Sequence, residues 1–130
     1  MKKSVLVVLI LYVSLITALS VIELPDFDPI KLDEKSGFTI LDKLVHICFY
    51  FGLNFLMLLL FASKKSMQKL FPMICISVGV ILYSCMIELV QLNIGREGSM
   101  YDVIANTIGT ATAVVVFRLP SVNRLILKYI

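Results

Sequence analysis

The chain has 130 residues, of which 59% are hydrophobic and 16% are charged, and its formal net charge is +3. Soluble domains contain about 45–50% apolar residues, so this excess indicates a protein that resides in lipid. The small net charge gives no support to a nucleic-acid partner, and the length indicates a single domain.

Four apolar stretches are long enough to cross a bilayer, which requires about 17–25 residues in a helix. In chain order, the predicted spans are residues 4–22, 43–62, 70–92 and 102–119. They predict an all-α membrane bundle of four transmembrane helices that occupies residues 1–130 as one domain. The first span could instead be a signal peptide cleaved near Ser20. It is longer than the apolar core of about 7–15 residues in such peptides, so we expect it to be retained.

Short patterns mark the beginnings of three spans. Thr39-x-x-Asp42 and Ser99-x-x-Asp102 each have the form of a capping box, which predicts helix starts at spans two and four. Pro72 suits the first turn of span three, where its missing N–H costs nothing.

Lysine and arginine are distributed unevenly between the two ends of the spans. Cytoplasmic segments of membrane proteins carry an excess of these residues, so both termini are predicted to be cytoplasmic and residues 23–42 external. We expect the bilayer to be a bacterial inner or plasma membrane. The richer side has Lys2, Lys3, Lys64, Lys65, Lys69, Arg118, Arg124 and Lys128, and the poorer side has Lys31, Lys35, Lys43 and Arg96.

Polar and ionisable residues recur within three of the spans, although each charge costs about 2.5–3.5 kcal/mol at the membrane centre. Their three- and four-residue spacings place those of each span on one helix face. A helix rises about 1.5 Å per residue, so the three faces fall at the same depth near the outer surface. The residues are Asp42, His46 and Tyr50 on span two, Glu88 and Gln91 on span three, and Asp102 and Asn106 on span four, with Lys43 and Arg96 beside them.

Most of these residues also have a purely structural interpretation. Asp42 and Asp102 could only cap their helices. Lys43 and Arg96 could only extend to the interface, and Asn106 could only join helices.

The remaining polar residues differ in how easily structure alone explains them. Tyr50 could be a packing aromatic, Gln91 could be solvated near its helix end, and His46 alone would more often be structural. Glu88 is the hardest to explain in this way, because it lies within an apolar span and its nearest countercharges in sequence are outside that helix.

Small residues recur every four positions on span four, at Ala105, Gly109 and Ala113. This stripe predicts the close approach of another helix. Asn54, deeper on span two, is predicted to form hydrogen bonds between helices.

The cysteines give no sign of a disulfide framework or a metal centre. Cys48, Cys75 and Cys85 all lie in apolar runs, and His46 is the only histidine. We therefore expect small packing residues, no metal and no cofactor.

Two stretches share a pattern with a known family. The segment from Asp42 to Tyr50 has the form D-K-x-x-H-x-x-x-Y, and residues 88–109 have the form E-x-x-Q…R-x-x-S-x-x-D-x-x-x-N-x-x-G. Over residues 40–115 the chain therefore resembles the VanZ-like proteins, except at Ala113, where many members have glycine. The resemblance implies a compact multi-helix membrane protein, in a family named for resistance to the glycopeptide teicoplanin. By position, the resemblance implies that the polar residues of the family correspond to Asp42, Lys43, His46, Glu88, Gln91, Arg96, Asp102 and Asn106.

Three hypotheses follow for the polar residues. In the first, Lys43, Arg96 and a protonated His46 bind the phosphate or carboxylate of an envelope lipid or cell-wall precursor. Asp42, Gln91, Asn106 and Tyr50 complete this predicted binding set.

In the second hypothesis, Glu88, His46 and Asp102 are catalytic residues of a phosphoryl- or acyl-transfer enzyme. No G-x-S-x-G, phosphate-loop or H-E-x-x-H motif identifies a reaction. In the third hypothesis, the same charges only fix helix packing. The expected partner is a membrane lipid or lipid-linked precursor, and a homo-oligomer could also form.

Overall fold

The computed structural model of the protein describes residues 2–21, 40–62, 69–94 and 99–129. Over these ranges the chain is helical and has no strand. Four helices, α1 to α4, are long and apolar enough to cross a membrane. The predicted all-α bundle with four spans is confirmed, and the cytoplasmic location of the termini stays a prediction. The helices are α1 (Lys2–Val21), α2 (Ile40–Phe61), α3 (Leu70–Asn93), α4 (Met100–Arg118) and α5 (Pro120–Tyr129).

The start of α4 confirms Ser99 as its N-cap, but the two reciprocal hydrogen bonds between Ser99 and Asp102 that define the predicted capping box are not formed. The Ser99 hydroxyl accepts a hydrogen bond from the backbone N–H of Tyr101 at 3.2 Å, as an N-cap residue should. The backbone N–H of Ser99 donates to Glu88 Oε2 at 3.2 Å and not to Asp102. Glu88 therefore joins the end of α3 to the start of α4. Thr39 of the other predicted box lies outside the described residues.

The small-residue stripe on α4 lies against α2, and these two helices have the most extensive contact in the bundle. Ala105 and Ala113 are buried. A side chain at Gly109 would collide with the backbone carbonyl oxygen of Ile47 and lie 3.0 Å from the backbone nitrogen of Phe51. The predicted close approach is confirmed, and it brings the polar residues of α2 and α4 together.

Apolar side chains fill the rest of the bundle in two clusters. One, around Leu9, Ile16 and Leu53, joins α1 to α2 and α3. The other lies at the opposite end of the bundle from Ser99 and includes Phe117 of α4 and Ile126 of α5. The sequence prediction missed α5, because ten residues are too few to cross a membrane.

The cysteines do not occupy the packing positions expected of them. Cys48 and Cys75 are exposed on the outer surfaces of their helices, and Cys85 is only partly buried. The prediction is wrong because an apolar run in a membrane helix includes a lipid-facing side as well as a packed one.

Candidate functional site

The polar side chains of α2, α3 and α4 meet at the end of the bundle where α2 and α4 begin and α3 ends. Lys43 is at its centre, with its Nζ donating to Asp42 Oδ2 at 2.8 Å and to Asp102 Oδ1. Lys43 and Asp102 are buried, with side chains 9% and 10% exposed. The interpretation of Lys43 as a residue that extends to the interface is therefore wrong, because it forms a buried ion pair between two helices.

His46 lies one turn below this ion pair. Its Nδ1 is 3.1 Å from Asn106 Oδ1 on α4. Its Nε2 is 3.9 Å from Asp42 Oδ1 and 3.9 Å from Asp102 Oδ1, which is beyond hydrogen-bond distance. The ring is thus held on one side by an amide and faces two carboxylates on the other.

The contact continues from α4 to α3 through a serine. Asn106 Nδ2 donates to Ser84 Oγ at 2.7 Å, and both side chains are buried. His46, Asn106 and Ser84 therefore form a chain of contacts that spans all three helices at one level. Sequence reasoning missed Ser84, although the spacing of Ser77, Ser84 and Glu88 along one face of α3 was a signal for it.

Glu88 does not point alone at the acyl chains of the bilayer. It is buried, it accepts the hydrogen bond from Ser99 N–H, and it lies within electrostatic range of Asp102, His46 and Lys43. The predicted cluster thus includes the carboxylate that was hardest to explain by structure alone.

Acidic groups outnumber basic ones in the described part of the cluster. Asp42, Glu88 and Asp102 face one lysine and His46, so the formal charge with ionised carboxylates is −2 if the imidazole is neutral. Protonation of His46 would bring it to −1. Burying uncompensated negative charge is costly, so this arrangement favours the protonated form of an acid or a further basic side chain beside the cluster.

Among the described residues, the cluster is exposed at Asp42 and His46. The Asp42 side chain is 47% exposed and His46 is 23% exposed, whereas the other members named above are buried. A ligand would therefore reach Asp42 and the Nε2 edge of His46 first.

Three residues of the predicted set lie away from this open side or outside the described residues. Tyr50 is buried, with its ring in the apolar cluster around Leu53 and its centroid 6.4 Å from that of Tyr83, while its hydroxyl group interacts with Ser84. Gln91 Nε2 donates to the backbone carbonyl of Ser20 at 3.0 Å, so it holds the end of α1. Arg96 lies outside the described residues.

A metal ion would have to compete with Lys43. Asp42, His46 and Asp102 offer ligand atoms within 4.8 Å of one another, which is close enough to share a divalent ion. The ammonium group of Lys43 already contacts both carboxylates. The Lys43 ammonium group therefore occupies the position that a metal ion would need, and the absence of a metal stays a prediction.

A second polar layer lies deeper in the same three helices. The predicted role of Asn54 is confirmed, since its Nδ2 donates to Ser77 Oγ at 3.0 Å on α3 and to the Thr110 carbonyl at 2.9 Å on α4. This layer contains only neutral groups, and all three residues are buried.

These features define a class, a small multi-pass membrane protein with an ion-paired polar cluster at one end of its bundle. The sequence profile of the family described as VanZ/LLP1 matches residues 5–122, which is nearly the whole chain. The chain therefore belongs to the VanZ/LLP1 family. No curated protein and no solved structure matches it.

Proposed function

We propose that the polar cluster binds the phosphate or carboxylate of an envelope lipid or a lipid-linked cell-wall precursor at the outer leaflet. The observation that carries this proposal is the convergence of charged side chains from α2, α3 and α4, of which Asp42 and His46 are the accessible ones in the part of the chain that the structure describes. A merely structural set of charges has no need of an open side.

Lys43 can accept an anion by exchange of one of its partners. Its bond to Asp102 is buried, whereas its bond to Asp42 involves a carboxylate that is half exposed. A phosphate oxygen could take the place of Asp42 on Lys43 Nζ. A protonated His46 would donate from Nε2, and Arg96 would add a third cation to Lys43 and His46. Three cations would balance the three carboxylates, so an anionic ligand would meet a neutral cluster.

The surroundings of the open side favour an amphiphilic ligand over a free anion. Leu41, which precedes Asp42, is exposed, and so are Leu44 and Val45, which lie between Asp42 and His46. Met100 and Tyr101 at the start of α4 are exposed as well. The acyl or polyprenyl chain of a lipid would cover these residues while its head group enters the cluster. Burial of apolar surface contributes about 25 cal/mol per Å², so the chain would supply much of the affinity.

The test is native mass spectrometry of the purified protein, with the bound lipid identified after release. We expect a phosphate- or carboxylate-bearing lipid to be retained by the wild type and lost from Arg96→Ala. Arg118→Ala is the matched control, because Arg118 lies at the other end of α4. Equal retention by Arg96→Ala and the control would contradict the proposal.

Acid–base catalysis on such a lipid is the second candidate function. The observation that favours it is the orientation of His46, which is held at Nδ1 and faces the carboxylate of Asp102 with Nε2. In that role, Nε2 would take a proton from an attacking hydroxyl group and return it to the leaving group during phosphoryl or acyl transfer. Incubation of purified protein with a broad panel of lipid phosphates tests it. Product that is lost in His46→Gln would support catalysis, and the absence of any product would exclude it in favour of binding alone.

The link to glycopeptide resistance is part of the proposal and can be tested in cells. Expression of the wild type should lower teicoplanin susceptibility, and Glu88→Gln, which preserves side-chain size, should abolish this effect at an equal protein level. An unchanged phenotype in Glu88→Gln would contradict a role for the cluster in resistance.

A further inference from the structure

Ser84 and Asn106 form a buried pair behind His46. Asn106 Nδ2 donates to Ser84 Oγ at 2.7 Å, which turns Asn106 Oδ1 toward His46 Nδ1 at 3.1 Å. Both polar atoms of the amide are thus engaged by neighbouring helices. The amide thus lies between α3 and α2, with Nδ2 toward Ser84 and Oδ1 toward His46.

An amide oxygen can only accept a hydrogen bond, so the nitrogen that faces it must carry a proton. We propose that Ser84 and Asn106 are positioning residues that hold neutral His46 as its Nδ1–H tautomer, which leaves Nε2 as the atom that meets the ligand. This inference rests on the proposed function, because it assigns the reactive atom of the same site.

The two sides of the imidazole ring differ in the way that this assignment requires. On the Nδ1 side, the buried Asn106 and Ser84 leave no route for a ligand. On the Nε2 side, the nearest charged atoms are the Asp42 and Asp102 carboxylate oxygens, both at 3.9 Å, and Asp42 is half exposed. Nε2 of the neutral ring can therefore accept a proton from an acidic or hydroxyl group of a ligand while the proton on Nδ1 stays in place. Once it carries that proton, Nε2 can donate a hydrogen bond to a phosphate oxygen.

The reverse orientation of the amide makes the opposite prediction. If Asn106 Nδ2 faced the ring, it would donate to a bare Nδ1 and the Nε2–H tautomer would be favoured. A measurement of the tautomer therefore decides between the two.

His46 is the only histidine in the chain, so labelling with ¹⁵N-histidine gives the spectrum of this one residue. The full-length protein would carry a purification tag without histidine and would be held in detergent micelles at a pH where the ring is neutral. The pattern of ¹⁵N–¹H correlations distinguishes Nδ1–H from Nε2–H. We expect Nδ1–H in the wild type, and a neutral ring that is mainly Nε2–H would overturn the proposal.

Variants of Asn106 and Ser84 test whether these two residues determine the tautomer of His46. Asn106→Leu removes the acceptor and should shift the ring toward Nε2–H, which an unconstrained imidazole favours. Asn106→Asp retains an acceptor at that position and should restore Nδ1–H, although it adds charge. Asn93→Leu is the control, because Asn93 is exposed and, among the described residues, its side chain donates to the Leu89 carbonyl of its own helix. Ser84→Ala should give a mixture, because the amide loses its hydrogen-bond partner on α3 and is free to turn.

The outcomes separate this inference from the proposed function. The tautomer is measured without added ligand, and lipid retention is measured without reference to the tautomer. Lipid loss in Arg96→Ala with an Nε2–H wild-type ring would overturn only the positioning role. An unchanged Nδ1–H signal in Asn106→Leu would also overturn it. If Asn106→Leu does not fold, the wild-type and Asn106→Asp spectra decide.

Discussion

Two polar layers join the same three helices, and they differ in charge and in access. The deeper layer joins Asn54, Ser77 and Thr110 through neutral hydrogen bonds and is fully enclosed. The outer layer contains the Lys43–Asp102 ion pair, His46 and Glu88, and it is open at Asp42. Neutral groups are thus sufficient to connect α2, α3 and α4. The charged groups of the outer layer are not required for this connection.

The comparison explains why the outer layer is the better candidate for function. Interhelical hydrogen bonds between neutral groups contribute about 0.6 kcal/mol on average in a membrane. A buried ion pair adds little more to stability, because desolvation offsets most of the attraction. The charges are therefore better explained by a ligand than by packing, and the following substitutions test this difference between the layers.

The largest effect is expected from Lys43→Met, which leaves Asp102 buried without its cation. Removing one partner of a buried pair costs about 3–5 kcal/mol. Reversible unfolding in mixed micelles should show this loss, and the double variant Lys43→Met/Asp102→Asn should recover much of it. Lys69→Met, at an exposed position at the start of α3, is the control. A loss in the single variant no greater than in the control would show that the pair does not exist.

Gly109→Ala should have the next largest effect, since the new methyl group would meet the Ile47 carbonyl and separate α2 from α4. Overpacking of this kind costs about 1–3 kcal/mol. Gly79→Ala is a matched control on α3, where a side chain meets nothing within 4 Å. Both layers depend on the α2–α4 contact, so Gly109→Ala should also reduce lipid retention. Equal stability of the two alanine variants would contradict the close approach.

Asn54→Leu tests the deeper layer independently of the outer layer. It removes two interhelical hydrogen bonds but also an amide oxygen, Asn54 Oδ1, that is buried without a partner among the described residues. The two changes partly offset, so we expect a loss of about 1 kcal/mol or less in unfolding free energy. Lipid retention by native mass spectrometry should be unchanged. Loss of the lipid with little loss of stability would place the ligand in the deeper layer.

The smallest effect on stability is expected from Asp42→Asn. Exposed ion pairs contribute about 0.2–1 kcal/mol. If a phosphate replaces Asp42 on Lys43, removing this competitor should strengthen lipid binding by up to about fivefold, because 1.4 kcal/mol corresponds to a factor of ten. Titration with a short-chain phospholipid in detergent measures the affinity. Weaker binding would show that Asp42 is itself a ligand contact.

The sequence predicted the spans, the Ser99 cap and the small-residue stripe, because each depends on local spacing. It also indicated that the polar faces share a depth, since helix rise is constant. It could not assign partners across helices. The bond from Ser99 N–H to Glu88 and the ion pair between Lys43 and Asp102 depend on how the helices rotate against one another. Ser84 was missed because a serine in an apolar helix usually bonds to its own backbone, as Ser77 does.

The most direct test of the central claim compares His46→Gln with the wild type by native mass spectrometry, at matched protein amounts. If the outer layer exists for a ligand, the variant loses its bound lipid while its unfolding free energy stays within about 1 kcal/mol of the wild type. If the layer exists only for packing, the lipid pattern is unchanged and stability falls by an amount approaching that of Lys43→Met, which would contradict the account.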